Sequence, residues 1–365
     1  QQWLHDTWLY LYWKAAGYAG VAVSVAVPAA LALWAYTGTV SRLARNARHP
    51  WAPLLIGALG FTLMASYLSI RPSLWTAALL FVAISSCLEW RRGADKRYLF
   101  ALPVVSLLSV NLQAALWPLP AAAAACFLLP EEGEFEPSNT CEALRAWSQS
   151  RLPLLAAIAG MAAESLVNPY AIDGSLYVLR SLGAASYGGV ILELKPMWAM
   201  PEAAPFRCVA VLAASASCAL ARRFPPRWLL AFWLTSAIAG ALAVRCLWIT
   251  WTVSFLIVAV SAGRKEELEP RTYRALIAGR VTLSLVLALS VINSGLRSIE
   301  PKASGVESGW CGIDADMVQI VEALGDDPGR IWTEDVSVMN YLEWAKVPVT
   351  YDMRPEIWSE AIAGD

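Results

Sequence analysis

Ten apolar runs separated mostly by short turns fill nearly all of the first 295 residues, and they leave few folds open. They lie at about 17–39, 52–70, 73–90, 98–110, 113–129, 152–168, 204–221, 226–242, 245–262 and 275–293. A bilayer crossing takes roughly 20 apolar residues, and within lipid only helices or closed barrels satisfy the backbone. The runs therefore predict an α-helical polytopic membrane protein of about ten spans. Composition agrees, with 58% hydrophobic and 16% charged residues and a mean hydropathy of +0.49. Soluble domains average about 25% charged residues. The runs 98–110 and 113–129 are short, and they read as two half-length helices or one broken helix. Broken helices line cavities.

Basic residues set the orientation. Alternate loops between residues 42 and 274 hold sixteen Lys and Arg residues, against six on the other side up to residue 245. By the positive-inside rule, residues 1–16, the loop 169–203 and everything after 294 lie outside a multi-pass cytoplasmic (inner or plasma) membrane. Residues 1–16, rich in Trp and Tyr, read as an amphipathic helix in the outer interface. Residues 17–295 form the transmembrane domain. The tail, 296–365, alternates like a soluble sequence and predicts a small extracytoplasmic α/β segment, with strand-like pieces at 330–333 and 347–351. A piece this small has little core of its own, so it is expected to pack on the membrane part or to continue beyond residue 365. Trp51, Trp75, Trp90, Trp117, Trp228 and Trp248 end apolar runs, the pattern of an interfacial belt, with core packing as the competing role. The acidic start of the inside loop 131–150 reads as a solvated linker.

Seven cysteines without a CxxC pair and only two histidines, His5 and His49, argue against a zinc site. No cofactor is assigned, and a divalent metal stays open. At a net charge of −1 no nucleic-acid partner is expected.

A few polar groups exceed what a membrane span needs, and most occur around one stretch that runs from Glu164-Ser-Leu-Val-Asn168-Pro169-Tyr170 to Glu193-Leu-Lys195-Pro196. Glu164 and Asn168 are four apart, which places them on one helix face, and Asn168-Pro169 also ends a helix. Glu193 and Lys195 supply a carboxylate and an amine at the surface, or a plain ion pair. Arg71-Pro72 follows a span, where an arginine meets an anion or snorkels. Asn111 and Gln113 flank the helix break; they suit sugar hydroxyls, and they equally suit backbone groups freed by the break. Arg245 opens a late span. Asp6, beside His5 on the first helix, is either a general base or merely solvated.

The order of these features resembles a family of bacterial and archaeal polytopic proteins in the GT-C glycosyltransferase superfamily. That family's pattern is an external W…WL helix, RPQL after a span, and NxHG between two short helices. NPYG then closes a span, EWQP follows outside, an Arg starts a late span, and YLxW…DGRxExY lies near the end. Here the matching residues are Trp3…Trp8-Leu9, Arg71-Pro72-Ser73-Leu74, Asn111-Leu112-Gln113, Asn168-Pro169-Tyr170-Ala171, Glu193-Leu194-Lys195-Pro196 and Arg245. Tyr341-Leu342-Glu343-Trp344 and Asp352-Met353-Arg354-Pro355-Glu356 complete the set. The His-Gly of NxHG is Gln113-Ala114, and NPYG, EWQP and DGR have become NPYA, ELKP and DMR.

The resemblance implies transfer of a sugar from a polyprenyl-phosphate-linked donor to an extracytoplasmic glycan or protein acceptor, with membrane lipids as surroundings. It implies a base at Asp6 or Glu193, and substrate contacts from Arg71, Asn111, Gln113, Glu164, Asn168, Lys195 and Arg245. It also implies a first span and a loop carrying the main carboxylate upstream of Gln1, with Asp6 as a stand-in. The alternatives are a polysaccharide polymerase or ligase using lipid-linked glycans, and a non-enzymatic transporter or assembly scaffold.

Overall fold

Ala16 and Gly17 break the first helix. In the computed structural model, which describes residues 3–44, 51–62, 72–93, 95–131, 140–176, 225–243, 246–262, 278–286, 288–290 and 292, α1 (Trp3–Leu43) leaves helical geometry at these two residues. Gly17 sits at φ +56°, which it reaches because it has no Cβ. The N-terminal arm before the break turns Leu4, His5, Trp8, Leu9 and Tyr12 inward, positions that share one helix face. Asp6, Tyr10, Leu11, Trp13 and Lys14 are exposed. The break thus falls between the Trp- and Tyr-rich arm and the apolar run that follows.

The chain continues through α2 (Ala52–Phe61), α3 (Ser73–Gly93), a 3-10 turn (Lys96–Phe100) and α4 (Ala101–Leu112). A second 3-10 turn (Ala114–Leu116), α5 (Pro118–Cys126) and α6 (Thr140–Glu164) follow. Beyond them lie α7 (Arg227–Leu242) and α8 (Leu247–Ala262), and residues 278–286 are helical. No strand occurs among the described residues. Two helices, Ala19–Leu43 and Ser73–Gly93, are long and apolar enough to cross a membrane; the other apolar helices are shorter. The run 204–221 and the expected α/β tail lie outside the described residues. The chain divides into two compact units, Gln1–Val291 and Ile292–Asp365.

Two open alternatives are resolved and two expectations change. The segments 98–110 and 113–129 take the two-half-helix form, since Pro118 opens α5 after a break at Gln113–Trp117. The helix expected at 152–168 begins at Thr140 instead, so half of the loop 131–150 is helical. Its first turns carry Arg145, Ser148 and Ser150, which hydropathy does not register although helices accept them. Glu131, read as part of a solvated linker, pairs with Arg91 Nη1 at 2.7 Å. Several tryptophans placed in an interfacial belt are core residues: Trp228 and Trp248 are fully buried, while Trp51 is 60% exposed.

The core runs through all of α1 to α8, from Tyr36 and Phe81 to Leu102, Ala123, Met161, Trp228 and Trp248. Tyr36 packs on Phe81 with ring centroids 4.6 Å apart, and its hydroxyl donates to Thr252 O at 2.9 Å. Gly60 makes this contact possible, because a Cβ there would stand 2.0 Å from Tyr36 Oη and 2.8 Å from Phe255 Cβ. Gly60→Ala is expected to cost about 1–3 kcal/mol through overpacking, read as a lower melting temperature of the full chain in detergent. An unchanged melt would mean that the contact carries no weight.

Charge separates the two ends of this bundle. At one end Arg42 Nε meets Glu89 Oε1 at 2.6 Å, Arg92 approaches the same carboxylate at 3.7 Å, and Arg91 donates to the carbonyls of Phe127 and Leu129. These residues are the C-termini of α1 and α3, where cations complement the helix dipole. The opposite end carries the arm, the start of α3 and the break after α4. Its contacts are amides, hydroxyls and indoles.

Candidate functional site

Asn111 ties three elements together at the arm end. It lies in the last turn of α4, 6% exposed, and its carbonyl oxygen accepts from Trp3 Nε1 at 2.7 Å. Its Nδ2 donates to Leu107 O and to Val167 O, each at 2.8 Å. Val167 lies just past the end of α6, where carbonyls lose their intrahelical partners. One side chain thus docks the arm and satisfies a helix end. Neither carbonyl it serves, Leu107 O within α4 or Val167 O beyond α6, is one freed by the break after α4.

Gln113 sits at the break itself and is 4% exposed. Its backbone N–H closes α4 on Ser109 O at 2.8 Å, and Leu116 N–H returns to Gln113 O at 3.1 Å. The side-chain carbonyl accepts a short hydrogen bond from Thr76 Oγ1 in the first turn of α3. An amide carries two N–H donors besides its acceptor, so with the carbonyl committed, Gln113 faces any further partner as a donor.

Glu164 and Asn168 do not share a helix face. The helix ends at Glu164, and Leu166 and Val167 close on Ala163 and Glu164 with tighter, three-residue bonds. The residue before proline avoids the α region, so the chain turns at Asn168 instead of continuing. Asn168 builds that turn: Oδ1 accepts from Tyr170 N–H at 2.8 Å, and Nδ2 donates to the carbonyls of Ser165 and Ala171, both at 2.9 Å. Ala171 takes φ +46°. Gly174 lies so close that a Cβ would meet Asn168 Oδ1 at 2.2 Å. Ser175 Oγ donates to Ser165 O at 2.6 Å and Trp117 Nε1 to Ser175 O at 3.0 Å, which fastens this turn to the break after α4. Glu164 is half-buried at the rim, with no ion pair among the described residues.

The structure thus brings Asn111, Gln113, Asn168 and Glu164 to the same end of the bundle. Asp6 is exposed on the outer side of the arm, while its neighbour His5 is only 3% exposed. Arg71, Glu193, Lys195 and Arg245 lie outside the described residues. Two members of the cluster escaped sequence reasoning in their actual roles, Trp3 and Thr76. Trp3 was legible as an interfacial aromatic and as the start of the W…WL pattern, but its partner is 108 positions away. Thr76 carries no signal in the sequence that singles it out. Among the described residues no three His, Cys, Asp or Glu side chains converge, so a divalent ion has no ready donor set there. No protein-family model and no curated protein matches the chain.

Proposed function

We propose that the chain is a polytopic membrane glycosyltransferase that moves a sugar from a polyprenyl-phosphate-linked donor to an extracytoplasmic glycan or protein. The observation that carries this reading is the separation of the two bundle ends. The arginine–glutamate contacts lie at one, and the Asn111–Gln113–Asn168 cluster lies at the other, on the arginine-poor side that the positive-inside rule assigns to the outside. The described members of the motif order that resembles GT-C enzymes, Trp3, Trp8, Asn111, Gln113 and Asn168, belong to that same end. Apolar side chains exposed along α6 and α7, such as Leu152, Leu155, Leu234 and Ile238, suit lipid contact and support more than two crossings.

In the reaction, an acceptor oxygen forms a bond to the anomeric carbon while the bond from that carbon to the donor phosphate oxygen breaks. The acceptor proton passes to a carboxylate, Asp6 or Glu193. The bonding electrons leave with the phosphate, whose charge Arg71, Arg245 and Lys195 stabilise. Arginine suits this task because its planar fork bonds two phosphate oxygens at once. Asn111 and Asn168 are spent on internal bonds, so in this reading they hold the walls of the site, and Gln113 and Glu164 are the groups left to face the sugar.

The test is transfer of a labelled hexose from polyprenyl phosphate to an acceptor by the full chain in proteoliposomes. Arg71→Lys keeps the charge and is expected to lower turnover at least about tenfold, or ~1.4 kcal/mol of barrier, with an unchanged melting temperature. Equal turnover removes the phosphate role of Arg71, and no transfer by the unaltered chain removes the enzyme reading. The internal commitment of Asn111 and Asn168 favours a scaffold as the second reading. A scaffold predicts no transfer at all and no response to Arg71→Lys.

A further inference from the structure

We propose that the first turn of α3 is a binding site for the phosphate group of a lipid. Helix α3 runs 21 residues, and its first amides, those of Ser73 and Leu74, precede any intrahelical carbonyl. The amides of Trp75 and Thr76 reach back to Pro72 O at 3.0 and 3.3 Å. A helix start of this kind presents N–H groups and the positive end of the dipole to an anion.

A helix start alone is commonplace; the side chains on this one are not. Ser73 is 6% exposed and its hydroxyl has no hydrogen-bond partner among the described residues. The indole N–H of Trp75, two residues on, is likewise buried and without a partner there. A buried polar group left unpaired costs about 1–3 kcal/mol, so two within one turn are an expensive way to start an apolar helix unless something is bound there.

The chemistry of the cluster says what that something is. The indole N–H and the backbone amides can only donate, and the hydroxyl can donate. Ser73 lies three residues before Thr76 and so shares its helix face. Thr76 holds the Gln113 carbonyl, which turns Gln113 into a donor as well. The turn is therefore rich in donors and holds no carboxylate, a match for an anion with several acceptor oxygens. Its depth fits a lipid. Helix α3 is one of the two long enough to span a membrane, and its start lies under the arm, where Trp8 meets Trp75 edge-on at 5.4 Å. Exposed Tyr10 and Trp13 on that arm suit headgroup level. The identity of the lipid as a polyprenyl donor rests on the glycosyltransferase reading; the phosphate site does not.

The full chain in nanodiscs is titrated with a short polyprenyl phosphate, with phosphatidylglycerol and with inorganic phosphate. Ser73→Ala and Trp75→Phe are each expected to weaken polyprenyl phosphate binding about 3–10-fold, the loss of one hydrogen bond to a charged group. Their melting temperatures stay level or rise, because neither group loses a protein partner. Ser73→Asp favours the helix start yet fills the site with its own negative charge, so it is expected to abolish binding in a protein that melts normally. Phosphatidylglycerol binding with the same response to the variants keeps the site and assigns it to bilayer lipid, against the donor reading. Binding that ignores Ser73→Asp, or no lipid phosphate binding by the unaltered chain, overturns the proposal.

Discussion

Asn111→Leu is expected to undock the arm. The substitution keeps the branched shape but removes one acceptor and two donors, stranding Trp3 Nε1 and Val167 O. At about 1–3 kcal/mol for each group left unpaired, the full chain should lose roughly 3 kcal/mol. The loss concentrates at one place. Lys14 is exposed just before the break at Ala16 and Gly17, so trypsin cleavage after Lys14 should accelerate before the bundle itself melts. Asn111→Asp keeps the acceptor for Trp3 but sets a buried carboxylate against the Leu107 and Val167 carbonyls, so it should destabilise at least as much as leucine. A leucine variant with a normal melt and no faster cleavage at Lys14 would show that the arm is held by something other than Asn111.

Truncating Trp228 should damage the other end. Its ring stacks on Phe127 with centroids 4.0 Å apart, and it is fully buried. Phe127 in turn lies under the Arg91 guanidinium at 5.5 Å, and Arg91 pairs with Glu131. Trp228→Ala should therefore cost about 3–5 kcal/mol as a large core truncation, while Trp228→Phe keeps a stacking partner and recovers most of that. The readout is thermal or denaturant unfolding of the full chain. An alanine variant within experimental error of the parent would mean that this end repacks freely.

The sequence was most legible where a local rule decides the structure. Gly17 follows a Trp- and Tyr-rich segment and precedes an unbroken apolar run, and the helix breaks there. Pro118 suits the first position of a helix, and a new half-length helix starts there. Hydropathy located the cores of α3, α7 and α8 to within a few residues. It failed at α6, whose first twelve residues are polar enough to look like a loop. It also failed for Trp228 and Trp248, since a tryptophan at the end of an apolar run looks the same to hydropathy whether it faces lipid or a neighbouring helix.

The candidate site was less legible, because its bonds are long-range. Asn111 was visible as an amide at a helix break, but Trp3 and Val167, its partners, are far off in sequence. The pairing of Glu164 with Asn168 assumed that the helix continued for another turn, and Pro169 forbids that. Ser73 stood in the sequence only as one position of Arg71-Pro72-Ser73-Leu74; its buried hydroxyl requires coordinates to see.

The edge-on contact between Trp8 and Trp75 has an optical consequence. The two rings stand at 88° with centroids 5.4 Å apart, close enough for their electronic transitions to couple. One indole belongs to the arm and the other to the first turn of α3, so the ultraviolet circular dichroism of the pair reports whether the two are together. The protein therefore carries an intrinsic, label-free reporter of arm docking, one that vanishes in Trp8→Phe without moving the backbone and can be read in the same cuvette as any ligand titration.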